Sequence, residues 1–286
     1  MKFYNFLLIT ILFISCSNQS DKNNSQKETS SALSQNFNKE WANNKLWYDG
    51  LAEVVTYDAQ RVVYKKQRDF EYTYITVAED FNKEFGVKTD DYKRKDLFKV
   101  MKLNAFANII TENYPYHYLT SMFFYFDKPW EMDKMSSSSQ EWCGNTFKEY
   151  LNKGNDYFMH YHSYFDGEGD GEKKISNDVL FEDQLIYTLR SLNFKAGLNF
   201  DAKVLESQIS NKVGKLKIYD AKLMVEEGNK DISEKSTWKV TVNLAPNKTN
   251  VYYFEKAYPN LLLKQNSWDG FNLTLKKTSR YAYWQH

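Results

Sequence analysis

Phe70-Glu71-Tyr72-Thr73-Tyr74-Ile75-Thr76-Val77 alternates with a period of two: Phe70, Tyr72 and Tyr74 fall on one face of an extended chain, Ile75 and Val77 on the other. A stretch rich in β-branched and aromatic side chains, without helical spacing, reads as a strand. The same pattern continues on both sides. Residues 52–57 lead into 61–65, and 97–103, 116–126 and 158–165 repeat the composition. The last third shows it again at 215–225, 237–244, 251–255, 261–268 and 271–284, separated by short polar breaks. Asp269-Gly270 between the last two predicts a hairpin with a type I′ turn, which needs positive φ at both central residues. Only 178–189 reads as helical, with Leu185 and Leu189 four apart. Strands joined by short turns, without intervening helices, predict an antiparallel sheet. The expected fold is mainly β: a large antiparallel curved or barrel-like sheet with one or two short helices. A subdivision near Gly197 has no linker to mark it, so 41–286 is expected to form a single β-rich domain.

Charge narrows the partners. With 38 basic and 37 acidic residues the chain lacks the basic surplus that phosphate backbones demand, so nucleic acid is not an expected partner. Its arginines are Arg61, Arg68, Arg94, Arg190 and Arg280 alone, which leaves few bidentate donors.

The run from Phe3 to Ile14 is apolar, about as long as a signal-peptide core and shorter than the roughly 20 residues that span a bilayer. Phe13-Ile14-Ser15-Cys16 resembles the lipobox of bacterial lipoproteins, in which the cysteine is diacylated and becomes the new N-terminus. Residues 1–15 are then a signal peptide, Cys16 the lipidation site, and 16–40 a polar, flexible tether. The expected location is the bacterial cell envelope, at the outer membrane, with the membrane held through the N-terminal lipid. Cys143 would remain as a lone thiol, without an intrachain disulfide.

Candidate chemistry is sparse. Cys143, in Gln140-Glu141-Trp142-Cys143-Gly144, would act as a nucleophile only beside a histidine, and His117, His160 and His162 are available. Otherwise it is a small buried hydrophobe in an aromatic-rich sheet. His160-Tyr161-His162 places two imidazoles on one strand face, where a metal would need a third ligand such as Asp166 or Glu168. Asp166-Gly167-Glu168-Gly169-Asp170 superficially looks like a calcium loop. An EF-hand starting at Asp166 would need Glu at 177, which is Asn177, so a hydrated acidic hairpin is the simpler reading. Ser136-Ser137-Ser138-Ser139 lacks a nucleophile elbow, and no Walker, G-x-G-x-x-G or zinc-type cysteine motif occurs, so no cofactor is implied.

Trp47-Tyr48-Asp49-Gly50 with Ala52-Glu53, Val77-Ala78-Glu79-Asp80-Phe81, Tyr114-Pro115-Tyr116 with Thr120-Ser121, Gln140 to Gly144, and His162-Ser163-Tyr164-Phe165 resemble a family of bacterial lipoproteins without an established function. The resemblance covers about 47–194, and Gln-Glu-Trp-Cys-Gly is its most specific piece. Members often carry the label septum formation inhibitor Maf. That label does not fit: the prolines of this chain, at 115, 129, 246 and 259, never form the Ser-Pro-Arg-Arg signature of the nucleotide pyrophosphatases of that name. The resemblance implies a lipoprotein and carries no catalytic residue.

Together these readings lead to a lipid-anchored envelope protein with a non-catalytic binding role toward an apolar or amphipathic ligand or a protein partner. The alternatives are a hydrolase or acyltransferase using Cys143 with His160 or His162, and a structural subunit docking through a sheet edge.

Overall fold

The computed structural model describes residues 33–229, 232 and 236–285. A meander of β1 (Ala52–Val63), β2 (Lys66–Asn82), the two-residue β3 (Val87–Lys88), β4 (Leu97–Ile109), β5 (Tyr116–Tyr125), β6 (Lys128–Glu141), β7 (Gly144–Asn152), β8 (Asp156–His162) and β9 (Asp170–Ser176) forms the first half. After the short β10 (Val179–Phe181) comes a helical segment: a 3₁₀ turn Glu182–Gln184, helix α1 (Leu185–Thr188) and a second 3₁₀ turn Leu189–Ser191. β11 (Asn199–Leu205), β12 (Ile218–Glu227), β13 (Thr237–Ala245), β14 (Lys248–Glu255), β15 (Leu262–Asn266) and β16 (Asn272–Tyr281) complete the chain.

All of these strands belong to one sheet, in the order β10-β11-β12-β13-β14-β15-β16-β1-β2-β4-β5-β6-β7-β8-β9, with β3 paired to β2 beside the path. β16 returns to pair with β1, from Ala52↔Tyr281 to Gln60↔Asn272, and so joins the two halves. Neighbours are antiparallel throughout except β10 and β11, which run parallel from Val179↔Lys203 to Phe181↔Leu205. The sheet curls into a nearly closed barrel. Its two end strands, β9 and β10, are separated in the chain only by Asn177 and Asp178.

The interior is filled by side chains and by the helical segment itself. Residues 184–192 are buried on every side, so this helix has no solvent face to make it amphipathic. Tyr187 stacks on Phe124 with ring centroids 4.2 Å apart and meets Trp41 edge-on at 5.3 Å. Phe181 receives Tyr150 and Tyr157 edge-on at 5.1 and 5.2 Å. Most polar groups buried with the helix have partners, as burial requires, the Tyr187 hydroxyl being without one. Gln184 donates to the Trp130 carbonyl at 3.0 Å and Thr188 to the Pro129 carbonyl at 3.0 Å. Arg190 forms a bidentate pair with Glu53, at 2.7 and 3.0 Å, and donates through Nε to the Pro259 carbonyl.

Four expectations need correction. The helix expected over 178–189 begins only at 182, because Val179–Phe181, β-branched and aromatic, complete the sheet beside β11. The tether expected over 16–40 is already part of the packed fold by Leu33: Phe37 is 3% exposed, stacks on Trp130 and bridges to Leu192. The strand expected to reach Phe165 stops at His162, where Ser163 and Phe165 begin a loop closed by Glu168. The Asp269-Gly270 hairpin forms, yet only Gly270 has positive φ (+83°), and its N–H bonds to the Ser267 carbonyl at 3.1 Å. The turn therefore starts at Ser267 and the glycine follows it. The two-residue turn with positive φ at both positions lies elsewhere, at Tyr64 (52°) and Lys65 (61°) between β1 and β2. Cys16, expected to carry lipid, and the signal peptide expected over 1–15 lie outside the described residues.

Candidate functional site

The β1–β2, β4–β5, β6–β7 and β15–β16 turns gather at one end of the barrel, the mouth. Arg61, Phe70, Tyr72, Tyr74, Ile109 and Tyr118 form one side of a pocket there. Glu182, Asp183 and Ile186 of the helical segment supply a second side, with Gln265, Ser267, Asp269 and Phe271 beyond them. Residues 206–217, between β11 and β12, form no strand and cross the mouth as a strap, contributing Ser207 and Ile209. The pocket is apolar on its β2–β4–β5 side and acidic on its helical side. Its cavity volume is about 40 Å³, enough for water or a small polar group and far below what a drug-sized ligand occupies.

The two adjacent carboxylates are positioned by the strap. Asp183 accepts from the Ser207 hydroxyl and from the Gln208 N–H at 2.7 Å, and Glu182 from the Ser207 N–H at 3.1 Å and Asn250 at 2.7 Å. Burial disfavours their charged forms, pushing Glu182 up to about 7 and Asp183 upward as well. Arg61 donates to the Ile209 carbonyl at 2.6 Å and lies 5.4 Å from the Tyr118 ring. The Tyr72 hydroxyl is buried in the same wall beside that of Tyr74, and burial raises its pKa above the ordinary phenol value.

The strap is held by side chains projecting from β6, β7, β9 and the β8–β9 loop. Lys148 is 1% exposed, and its ammonium donates to the carbonyls of Gln208, Ser210 and Lys212 at 2.5, 3.1 and 2.9 Å. Desolvation pulls its pKa down to about 8. Tyr150 donates to the Gln208 side chain at 2.7 Å and Thr146 to the Asn211 carbonyl at 2.8 Å. Glu168 receives the N–H groups of Val213 and Gly214, and Lys173 donates to the Gly214 carbonyl.

Beside the mouth lies a ridge of exposed aromatic rings. Tyr64, held in its positive-φ turn, shares hydroxyl hydrogen bonds with Tyr116 and, at 3.2 Å, with Tyr114. Tyr114 stacks on Trp142, which is 77% exposed at the β6–β7 turn. Gly144 lets Tyr164 join them: a Cβ there would sit 2.3 Å from Tyr164 Cγ. The Gln-Glu-Trp-Cys-Gly piece is therefore a surface turn, with its tryptophan outward and its glycine receiving a ring.

Cys143 is exposed, against the expectation of a buried small hydrophobe, because the tight β6–β7 turn carries it out of the sheet. Its thiol donates to the Tyr114 hydroxyl at 3.2 Å. Each of the three candidate histidines is engaged elsewhere: His117 with Asn108 at 2.5 Å, His160 with Glu172 at 3.1 Å, His162 with Asp170 at 3.2 Å. The thiol and imidazoles are not brought together. Asp166 bonds the N–H of Gly167, while Glu168 turns to the strap rather than to His160 or His162. Among the described residues no group of three His, Cys, Asp or Glu could hold a metal ion. No described helix is long and apolar enough to cross a membrane.

No family model and no curated protein matches the chain. A solved structure of a DUF1089-family protein from Pseudomonas aeruginosa is similar over 65% of this chain and 87% of its own, at 11% identity and a TM-score of 0.32. That likeness is too loose to carry an argument about function.

Glu182, Asp183, Lys148 and the strap are absent from the sequence-based candidates. The carboxylate pair had a signal: two adjacent acids interrupt the mostly apolar run from Val179 to Leu189. Lys148 had none, since a lysine between Phe147 and Glu149 reads as an ordinary outward position of a strand.

Proposed function

We propose that this chain is a lipid-anchored protein of the bacterial cell envelope, tied to the outer membrane through Cys16, whose barrel binds an amphipathic ligand at its mouth without covalent chemistry. The observation that carries the binding reading is the two-sided pocket: aromatic rings on one side and the buried carboxylates of Glu182 and Asp183 on the other. A buried acceptor pair beside apolar walls suits a ligand with a hydrocarbon body and a hydrogen-bond-donating or cationic head. The resting cavity holds only the head, so admission of the body requires the strap to lift. The ridge of exposed Tyr64, Trp142 and Tyr164 around half-buried Tyr114 gives this end of the barrel the amphipathic aromatic surface that a membrane or an envelope partner would touch. The lipobox and the lipoprotein-family motifs support the anchored location.

Titration of the purified full chain with dansyl-labelled hexadecylamine and hexadecanoate tests the ligand reading. The amine is expected to bind, and Glu182→Gln and Phe271→Ala to weaken it at least tenfold. Equal affinity for both probes, or none for either, would overturn it. Labelled palmitate incorporated into the wild type and lost in Cys16→Ala tests the anchor. Equal labelling of both would refute it.

A further inference from the structure

A second, larger concavity lies on the outer face of the sheet, away from the mouth. Its floor is set by register: Asn104 of β4 lies opposite Ser121 of β5, and the next outward row runs Val77, Lys102, Phe123, Lys134 across β2, β4, β5 and β6. One wall is the β2–β4 connection with Val87 and Tyr92, the other the segment after β16 with Tyr283 and Trp284. Its cavity volume is about 540 Å³, within the range of small-molecule sites.

Three features of this groove define what fits it. Its walls present aromatic rings that the protein leaves uncovered: Tyr92 is 66% exposed, and Tyr283 and Trp284 meet only edge-to-face at 5.0 Å and remain partly open. Its floor is polar and carries an open acceptor, since Asn104 Oδ1 is buried without a hydrogen-bond partner while facing Ser121 across the strands. A buried acceptor left unmatched points to a donor supplied from outside the chain. Its charges are cancelled locally. Lys102 pairs with Glu79 and reaches the Tyr283 hydroxyl at 3.4 Å, Asp80 pairs with Lys99, and Lys134 with Glu149.

These features exclude several classes of occupant. No arginine lines the groove, and its lysines are spent on carboxylates apart from Lys88, so a phosphorylated ligand lacks bidentate donors. An acyl chain would strip water from Asn104, Ser121 and the Lys102–Glu79 pair without replacing it. An extended peptide adds to a sheet edge, and here the strand backbones are already paired on both sides. A molecule with alternating hydroxyls and flat C–H faces satisfies both the aromatic walls and the neutral polar floor. We infer that this groove binds a neutral oligosaccharide, its ring faces against Trp284 and Tyr92 and a hydroxyl donating to Asn104 Oδ1.

The site is independent of the mouth, and the experiment separates the two. Purified full chain is applied to an array of neutral hexose and N-acetylhexosamine oligomers beside sulfated and uronic-acid oligomers, and hits are titrated by tryptophan fluorescence. Binding to neutral glycans is expected, weakened at least tenfold by Trp284→Ala and by Asn104→Ala, retained in Asn104→Asp, which keeps the acceptor, and unchanged in the mouth variant Phe271→Ala. Thermal unfolding at the wild-type temperature establishes that the variants are folded. An array without signal, signal confined to charged glycans, or neutral binding indifferent to both groove variants would each overturn the inference.

Discussion

Replacing Lys148 by Met tests what holds the strap over the mouth. The ammonium donates to three carbonyls of the strap, and a hydrogen bond from a charged donor contributes about 1.5–3 kcal/mol. Against that stands the burial cost. A pKa drawn down from 10.5 to about 8 corresponds to about 3 kcal/mol of destabilisation at pH values below 8. The difference leaves roughly 1–6 kcal/mol favouring the seated strap. Lys148→Met should therefore raise amide exchange across 206–217 by about fivefold or more, since each 1.4 kcal/mol is a factor of ten. The β2, β4 and β5 amides should keep their wild-type protection. The pH dependence supplies a second reading. Because the folded pKa lies below the unfolded one, between pH 8 and 10.5 the unfolded chain retains a proton that the folded chain has released, so this group makes stability rise with pH. The rise should be present in the wild type and missing from the variant over pH 8–9.5, below the range where raised tyrosines such as Tyr72 act in the opposite sense. Exchange in the strap within threefold of wild type, or a loss of protection spread evenly over the barrel, would refute the reasoning.

Glu182, with its pKa raised to about 7, favours folding while protonated, so its contribution fades as pH climbs from about 4.5 through 7. Urea midpoints at pH 5 and pH 8 should differ less in Glu182→Gln than in wild type, by about 3 kcal/mol in unfolding free energy. Arg190→Met strands the buried Glu53 carboxylate and should cost about 3–5 kcal/mol in chemical denaturation. Adding Glu53→Leu should restore most of it, and strict additivity of the two losses would contradict the pairing. Gly144→Ala drives a methyl into Tyr164 and should cost about 1–3 kcal/mol, relieved when Tyr164→Ala is combined with it. An unaltered melting curve for the single variant would show that the ring yields freely.

Most of the architecture was legible because a period of two is a local signal. The alternation over Phe70 to Val77 sits in the middle of β2, and the closing hairpin around Gly270 forms where its turn residues mark it. What escaped was set by distant partners. Val179 to Phe181 look helical beside Leu185 and Leu189, and only the arrival of β11 makes them a strand. Tyr64 and Lys65 carry no glycine to announce positive φ, and the hydroxyls of Tyr114 and Tyr116 bond the Tyr64 hydroxyl from about 50 residues away. The site was less legible than the fold. Glu182 and Asp183 gain meaning from burial, and Lys148 from a strap 60 residues further on that has no periodicity of its own. Conversely, Cys143 and the histidines stood out by residue type alone, and in the fold they face different partners.

The gap between β9 and β10 has a mechanical consequence. In a sealed barrel the girth is fixed by strand number and stagger, and enlarging it means breaking a ladder. Here the ring is fastened by a clasp: the two-residue link, and the bonds that Lys173 of β9 and Thr146, Lys148 and Tyr150 of β7 make to the strap beyond β11. Releasing those bonds breaks no strand pair. If the strap lifts as proposed, the mouth widens with its ladders intact, so the resting 40 Å³ there is the volume of the fastened state rather than of the largest guest.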